Sequence, residues 1–244
     1  VSAMIATRDG NILVAGDGGL VMKLDIRGTI LWQKAFADSV YVDSIIECED
    51  GRIAATGSIE DAEGAGRNLW VVSLSRDGAV TWQKSLGDSS GLGWGRSIVE
   101  TASRDLVVAG QVTDGKAWVV KLDADGSLLW QKDLGNHEAH SVLEGERGEL
   151  FVMAAAMGSI EWAGSRVIKL DSEGSVLWEK HWYDDSGGSW TMVRDGEGGV
   201  IIVGSYFGSG RQLDISVLRM DDSGTILWHR LFGLENDERA TAAV

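Results

Sequence analysis

The residues of this sequence that could do chemistry are few, and the first group is a histidine-rich segment. His137, Glu138 and His140 give the order His-Glu-x-His, and imidazole and carboxylate groups are common zinc ligands. A zinc protease motif separates its two histidines by one turn of a helix, and this segment lacks that spacing. We therefore predict that the segment lies on a loop or strand, and we expect no metal site in this chain.

Acidic residues supply two further candidates for chemistry. Glu47, Glu100 and Glu144 occupy one equivalent position of an internal repeat, and two carboxyl groups in different environments could hydrolyse a glycoside. Their repetition favours a structural role instead. The turn at 123–126, Asp-Ala-Asp-Gly, begins like a calcium loop but lacks the downstream bidentate glutamate, so we predict an ordinary Asx-type turn. No nucleophile elbow, phosphate loop or dinucleotide fingerprint is present, and no catalytic residue is predicted.

An internal repeat must position all of these residues. Five copies of one pattern, such as LDADGSLLWQKDLG from Leu122, run from one end of the chain to the other. Each copy reads as a hairpin with glycine in its turn, and a second hairpin precedes it, as in SIIECEDGRIAATG. Two hairpins give four strands, named A to D in chain order. The strand-D tryptophans recur every 48–50 residues, at Trp32, Trp82, Trp130, Trp178 and Trp228.

Four-stranded repeats of about 40 to 50 residues without helical periodicity are typical of β-propeller blades. We predict an all-β, five-bladed β-propeller with four antiparallel strands per blade, forming a single domain over residues 1–244. The predicted blades span about residues 1–37, 38–87, 88–135, 136–183 and 184–244. The terminal stretches 1–5 and 240–244 both match the start of strand A, so pairing of the N- and C-terminal strands is expected to close the ring. The alternative is a segment of a longer array.

With WVVK before it, LDADGSLLWQKDLG resembles the bacterial and archaeal repeat propellers of cell-surface and periplasmic proteins. It is more distantly similar to the quinoprotein-like propellers, whose blades carry Ala-x-Asp-x-x-x-Gly-x-x-x-Trp. The resemblance covers essentially the whole chain, and such propellers include scaffold, adhesion, assembly and cofactor-binding members. Enzymes of the quinoprotein group add a cofactor cavity with calcium ligands. This chain has no recognisable insert of that kind, so no cofactor is expected.

Comparison of the five copies separates packing from function. Residues shared by all copies serve the blade itself, whereas function is expected where the copies differ, at the D-to-A and B-to-C connections. Off-repeat aromatic residues fall in or beside these connections: Trp94, Trp162, Trp182, Tyr183, Trp190, Tyr206 and Phe207. They could form a binding patch or cover the rims of their own blades. One equivalent strand-A position holds different residues in successive copies: Asp43, Arg96, His140 and Trp190. This variation indicates either a central site or tolerance of a water-filled channel.

The composition limits the class of partner. Asp and Glu number 37 against 22 Lys and Arg, and the formal charge of −15 argues against nucleic acid and anionic membranes. No apolar run reaches the roughly 18–20 residues of a spanning helix, so no membrane insertion is expected. The single cysteine, Cys48, is predicted to be a small buried strand residue.

The favoured hypothesis is a non-enzymatic binding or scaffold propeller that presents its loop face to a protein or glycan. An extracellular, cell-surface or periplasmic location is expected from the resemblance. The alternatives are an enzyme, either a glycosidase using channel carboxylates or a quinoprotein-like oxidoreductase, and a purely structural repeat without a ligand. The oligomeric state is left open, because unmatched terminal strands could pair between chains.

Overall fold

The computed structural model describes residues 1–60, 66–87, 93–112, 115–155, 164–182, 191–207 and 213–233. The chain divides into two compact units, Val1–Asp133 and Leu134–Val244. In the described part of the chain, twenty strands form five four-stranded antiparallel sheets. Each sheet holds its strands in chain order, which is the arrangement that two consecutive hairpins produce.

Unit 1 contains the first three sheets, apart from residues 134–136 at the end of the third. The strands of the first sheet are β1 (Ala3–Ala6), β2 (Ile12–Gly16), β3 (Leu20–Leu24) and β4 (Ile30–Ala35). Those of the second are β5 (Val40–Glu47), β6 (Ile53–Glu60), β7 (Arg67–Leu74) and β8 (Val80–Leu86). Those of the third are β9 (Trp94–Glu100), β10 (Leu106–Val112), β11 (Lys116–Leu122) and β12 (Leu128–Asn136). A short 3-10 turn, Asp17–Gly19, joins β2 to β3.

Unit 2 contains the other two sheets. The strands of the fourth sheet are β13 (Glu138–Glu144), β14 (Leu150–Ala155), β15 (Ser165–Leu170) and β16 (Val176–Trp182). Those of the fifth are β17 (Thr191–Arg194), β18 (Val200–Phe207), β19 (Leu213–Met220) and β20 (Ile226–Phe232). The sheets, numbered blades 1 to 5 in chain order, match the predicted division into four strands A to D.

The core lies on both faces of strands B and C. Every residue of β14 and β15 is buried, and Val71, Val108 and Val120 have no exposed surface. Strands covered on both faces must be apolar throughout, which explains the uninterrupted apolar runs of the sequence. The outer strand D instead alternates between exposed and half-buried residues in β4, β8 and β12.

The repeated tryptophans dock against the C–D turn of the next blade. The indole Nε1 of Trp32 donates to the carbonyl oxygen of Arg76 at 3.2 Å, and that of Trp82 to Ala124 at 2.9 Å. In unit 2, Trp178 makes the same bond to Asp222 at 3.2 Å. A turn glycine faces each ring: a Cβ at Gly78 would lie 2.6 Å from Trp32 Cδ2. For these blades, the structure confirms the packing role predicted for the repeated tryptophan and glycine.

The structure also confirms the predictions for the Asp123 turn and for Cys48. Asp123 Oδ1 accepts hydrogen bonds from the N–H groups of Asp125 and Ser127, at 3.0 and 2.7 Å. This is the predicted Asx-type turn, and Asp25 makes the same bonds in blade 1. Cys48 is fully buried as predicted, and burial raises the pKa of its thiol to about 12.

The N-terminal stretch forms strand A of blade 1, because Ala3 to Ala6 of β1 pair with β2. The C-terminal stretch 240–244 lies outside the described residues, so ring closure stays a prediction. Within the described ranges, no helix has the length and apolar character needed to cross a membrane.

Candidate functional site

The variable strand-A position is a β-bulge. In blade 2, Val42 pairs with Gly57 and Ser44 with Thr56, so Asp43 is the extra residue between them. In blade 3, Arg96 is the extra residue between the paired Gly95 and Ser97. A bulge leaves its residue outside the ladder and redirects its side chain, and bulges are frequent beside functional sites. Comparison of the repeat copies within the chain showed that the residue at this position varies. The structure shows that the position is a bulge, which places the side chain outside the regular ladder.

Two glycines fix the neighbouring tryptophan, Trp94. A Cβ at Gly95 would lie 2.1 Å from Thr56 Oγ1, and one at Gly93 would lie 2.6 Å from the backbone N of Leu69. Neither position can carry a side chain while β9 packs this closely against blade 2. The Gly93 N–H also donates to the Arg67 carbonyl at 2.5 Å, which ties the start of β9 to β7. The sequence Gly-Trp-Gly therefore presents one ring from a tightly held backbone.

Trp94 stands at the centre of a stack of aromatic rings and guanidinium groups. The Arg67 Cζ atom lies 4.2 Å from the centroid of the Tyr41 ring and 4.7 Å from that of Trp94. The Arg96 Cζ lies 5.1 Å from the Trp94 centroid, and Trp94 Nε1 donates to Asp43 Oδ2 at 2.9 Å. These five residues, Tyr41, Asp43, Arg67, Trp94 and Arg96, are called the arginine–aromatic cluster.

The cluster is polar, half-buried and held from several sides. All five side chains are partly exposed, and Arg67 Nη2 also lies 3.5 Å from Glu60 Oε1. Cation–π contacts of this kind each contribute about 0.5–2 kcal/mol, more where water is excluded. The cluster contains a single carboxylate, Asp43, so it has no carboxylate pair for acid–base work. Tryptophan, tyrosine and arginine are the residues most enriched among the anchors of protein interfaces.

Two cluster members were not among the predicted site residues. Tyr41 is the second residue of β5 and Arg67 is the first of β7, beside connections that differ in length between the copies. Their positions beside the variable connections were the available signal. Nothing in the residue types or their spacing indicates that Arg67 contacts the Tyr41 and Trp94 rings, which lie on two other strands.

In unit 2, His140 occupies the same kind of bulge, between Ala139 and Ser141 of β13. His137 precedes it at a positive φ of 129°, and its buried Nδ1 has no hydrogen-bond partner among the described residues. Burial, followed by the nearby Arg166 guanidinium, lowers the pKa of His137. In the described ranges, no group of three or more His, Cys, Asp or Glu side chains could hold a metal ion.

The other predicted aromatic residues are only partly accounted for. Trp182 ends β16, and Tyr206 and Phe207 end β18. Trp162, Tyr183 and Trp190 lie outside the described residues. The binding role of these six residues stays a prediction.

The strand-A glutamates serve the connection between blades in unit 1. Glu47 Oε2 accepts from the N–H of Arg8 in the A–B turn of blade 1, at 2.7 Å. Glu100 Oε2 accepts in the same way from the N–H of Glu49 in blade 2, at 2.7 Å, and Glu100 Oε1 lies 3.1 Å from Arg52. Both carboxylates therefore accept backbone N–H groups of the preceding blade, as the structural interpretation of this position expects.

Comparison with known structures identifies the class of protein. The Dos1 propeller has a TM-score of 0.65 and 11% identity, over 96% of this chain and 58% of that chain. Streptogramin B lyase has a TM-score of 0.60 and 16% identity, over 96% and 70%. A Bacteroides caccae protein of unknown function has a TM-score of 0.61 and 13% identity, over 94% and 81%. At these identities the likeness shows the fold alone, and it confirms the predicted all-β, five-bladed β-propeller.

The family follows from the sequence comparison. The chain belongs to the family described as outer membrane protein assembly factor BamB, whose model matches residues 1–111 and 67–231. This confirms the predicted resemblance to repeat propellers of the quinoprotein-like type. No curated protein sequence matches the chain.

Proposed function

We propose that this chain is a non-enzymatic binding propeller that holds a protein partner through the arginine–aromatic cluster. The proposal includes a single propeller domain over residues 1–244, closed by its terminal strands, and a location in the cell envelope. The family description, an outer membrane protein assembly factor, supports a role in bringing proteins together.

One observation carries the proposal. Strands β5, β7 and β9 bring five side chains that the repeat does not share into one stack, and two of them stand on bulges. A scaffold without a ligand has no need for different residues at a repeated bulge. The exposed remainder of such a stack can pack against a partner at little entropic cost, because Glu60, Asp43 and the rings already hold the guanidinium groups and the indole.

A protein partner fits this cluster better than a glycan. Sugar rings bind by stacking on an aromatic face, and the guanidinium groups of Arg67 and Arg96 already lie over the Trp94 ring. The two arginines and the carboxylates of Asp43 and Glu60 instead offer both signs of charge around an aromatic centre. That combination suits the mixed side chains of a protein surface.

The proposal is tested by photo-crosslinking in cells, with a photoreactive amino acid at position 41 of the cluster. The matched control carries the same group at Gln33, an exposed residue of strand D in the same unit. We expect position 41 to capture one protein reproducibly and position 33 not to capture it. In the Trp94→Ala background the position 41 product should fall by more than half while the chain still folds.

Equal capture from positions 41 and 33, or none from position 41, would contradict a partner at the cluster. Labelling of position 41 by a glycan would replace the protein partner with a carbohydrate. Turnover of a substrate that is lost on substitution of Glu47, Glu100 or Glu144 would remove the non-enzymatic assignment. Crosslinkers at His140, Trp162, Trp182, Tyr183, Trp190 and Tyr206 extend the same test to the other predicted residues.

A further inference from the structure

Unit 2 contains a cleft between the A–B turns of blades 4 and 5. Its volume is about 150 Å³, which corresponds to roughly five water molecules. The lining residues come from both turns and the strands beside them: Leu143, Glu144, Gly145, Glu146, Phe151, Arg194, Gly196, Gly198, Gly199 and Val200. The cleft is a different site from the arginine–aromatic cluster, and the inference below does not depend on the proposed function.

The equivalent place in unit 1 is filled by two charged side chains of the following blade. Between blades 2 and 3, Glu100 accepts the N–H of Glu49, and Arg104 Nη2 pairs with the Glu49 carboxylate at 2.9 Å. Arg104 Nη1 also lies 3.9 Å from Glu100 Oε2. One carboxylate and one cation therefore meet the two polar groups of Glu49, its amide and its side chain.

Blade 5 lacks both of these groups. The backbone bonds Cys48 N–H to Arg52 and Gly145 N–H to Glu149 place Glu146 at the turn position of Glu49. Arg194, the last residue of strand A, replaces the carboxylate of Glu100, and Gly198 replaces Arg104.

Two charged side chains of the cleft, Glu146 and Arg194, are exposed to solvent. Among the described residues, neither has a hydrogen-bond or ion-pair partner. A Cβ at Gly198 would lie 3.8 Å from Glu146 Oε2. The Glu146 carboxylate is therefore on the side of the cleft that corresponds to Arg104 in blade 3.

Glycines make up much of the lining of the cleft: Gly145, Gly196, Gly198 and Gly199. A Cβ at Gly145 would lie 3.0 Å from the Glu149 side chain, which fills the place of the buried Thr7, Cys48 and Thr101 side chains of blades 1 to 3. Phe151 and Val200 are buried and supply an apolar floor. A site of this size excludes drug-sized ligands, which need about 300 Å³ or more.

We infer that this cleft binds a free α-amino acid, whose carboxylate and ammonium replace the two groups that blade 5 lacks. The ligand carboxylate accepts from the Glu146 N–H and pairs with Arg194, as Glu100 does with the Glu49 N–H. The ligand ammonium pairs with the Glu146 carboxylate, as Arg104 does with Glu49.

The test is an NMR titration of the full chain with three small probes: L-alanine, propionate and ethylamine. L-Alanine carries both charged groups, whereas the other two carry one each. We expect L-alanine to shift the backbone amide resonances of Glu146 and Gly198 in a saturable way. Propionate and ethylamine should bind about tenfold more weakly or worse, since each loses one charge-assisted contact.

Two variants remove one contact each, and a third reverses the charge of the cation. Arg194→Gln and Glu146→Gln should each weaken L-alanine binding about tenfold. Arg194→Glu places a carboxylate where the ligand carboxylate would bind, so it should abolish binding. Arg147→Gln, an exposed arginine of the same turn that does not line the cleft, is the control and should bind like wild type.

Absence of a saturable shift with L-alanine would overturn the inference, as would equal binding of propionate. Unchanged L-alanine binding in Arg194→Glu would also overturn it. None of these results bears on the partner of the arginine–aromatic cluster, which the crosslinking experiment tests separately.

Discussion

The C–D turns carry the same residues in the blades compared, whereas the strand-A bulges carry different ones. At the C–D turns, the same tryptophan meets the same glycine in successive blades, through Trp32 and Trp82 in unit 1 and Trp178 in unit 2. At the bulges, the same backbone irregularity carries a different side chain each time. Constant residues on constant geometry indicate packing, whereas for variable residues on constant geometry we propose a role in recognition. Five copies of one blade thus let a single sequence separate the two roles.

The largest expected effect concerns the C–D turn. Gly78→Ala should destabilise the protein by about 3 kcal/mol or more, because a left-handed residue with a Cβ costs about 1–2 kcal/mol and overpacking adds about 1–3 kcal/mol. Its φ is +85°, and the new Cβ would lie 2.6 Å from Trp32 Cδ2. Urea unfolding followed by tryptophan fluorescence measures this change.

Gly28→Ala is the matched control for this turn. Gly28 has nearly the same φ, +82°, but nothing lies within 4 Å of its Cβ position. We expect only the backbone cost of about 1–2 kcal/mol. An equal loss of unfolding free energy in the two variants would show that tryptophan docking contributes little to stability. The packing role of the C–D turns would then be contradicted.

A second prediction concerns the glutamate between blades. Glu100→Gln should lower the free energy of unfolding by about 1–3 kcal/mol. The Glu100 side chain is only 8% exposed, and the substitution leaves Arg52 with a neutral partner. Glu47→Gln tests the same bond at a more exposed position and should cost less. Thermal unfolding at pH 7 measures both changes. If neither variant changes stability, the carboxylates do not hold the blades together and their catalytic interpretation regains support.

A smaller effect is expected within the arginine–aromatic cluster. Trp94→Phe keeps a ring near Arg67 and Arg96 but removes the Nε1 bond to Asp43, so stability should fall by about 1 kcal/mol. Asp43→Ala should cost a similar amount, and the double variant should cost less than the sum of the two. A double-mutant cycle by urea unfolding checks this. Strict additivity would show that the two side chains do not interact.

The smallest predicted effect is a pH dependence in unit 2. The pKa of His137 is lowered from 6.5 by burial and by Arg166, so protonation is less favourable in the folded state. This contribution to stability is present above about pH 6.5 and is lost as the pH falls towards the lowered pKa. Compared with His137→Gln, the wild-type protein should therefore lose more stability between pH 7 and pH 5. Parallel curves for the two proteins in urea would contradict this prediction.

The fold was largely predictable because the repeat imposes it. Turn glycines such as Gly51 and Gly78, apolar runs and spaced tryptophans fix two hairpins per copy without information from distant parts of the chain. A bulge shifts the alternation of buried residues by one, as at Asp43, where buried Val40 and Val42 are followed by buried Ile45. This shift, like the C–D register shifts before Leu24 and Leu74, becomes visible only once strand pairing and burial are known, so the sequence did not reveal it.

The candidate site was predicted only in part. Asp43, Trp94 and Arg96 were identified because they differ between copies, and the structure brings these three together. Tyr41 and Arg67 were missed, because contacts across strands β5, β7 and β9 depend on how blades pack and not on local sequence. Arg194 was not singled out from the sequence, although it stands at the position of Glu47, Glu100 and Glu144, because its significance depends on the hydrogen bonds of unit 1.

The most direct test of the central claim uses the partner protein that the crosslinker at position 41 captures. Its affinity is measured for the wild-type chain and for two variants. The cluster variant combines Arg67→Gln with Trp94→Phe, and the turn variant is Gly28→Ala in a C–D turn. Titration calorimetry should show about 30-fold weaker binding for the cluster variant, about 2 kcal/mol, and no change for the turn variant. Unchanged affinity in the cluster variant, or an equal loss in both, would contradict recognition through the arginine–aromatic cluster.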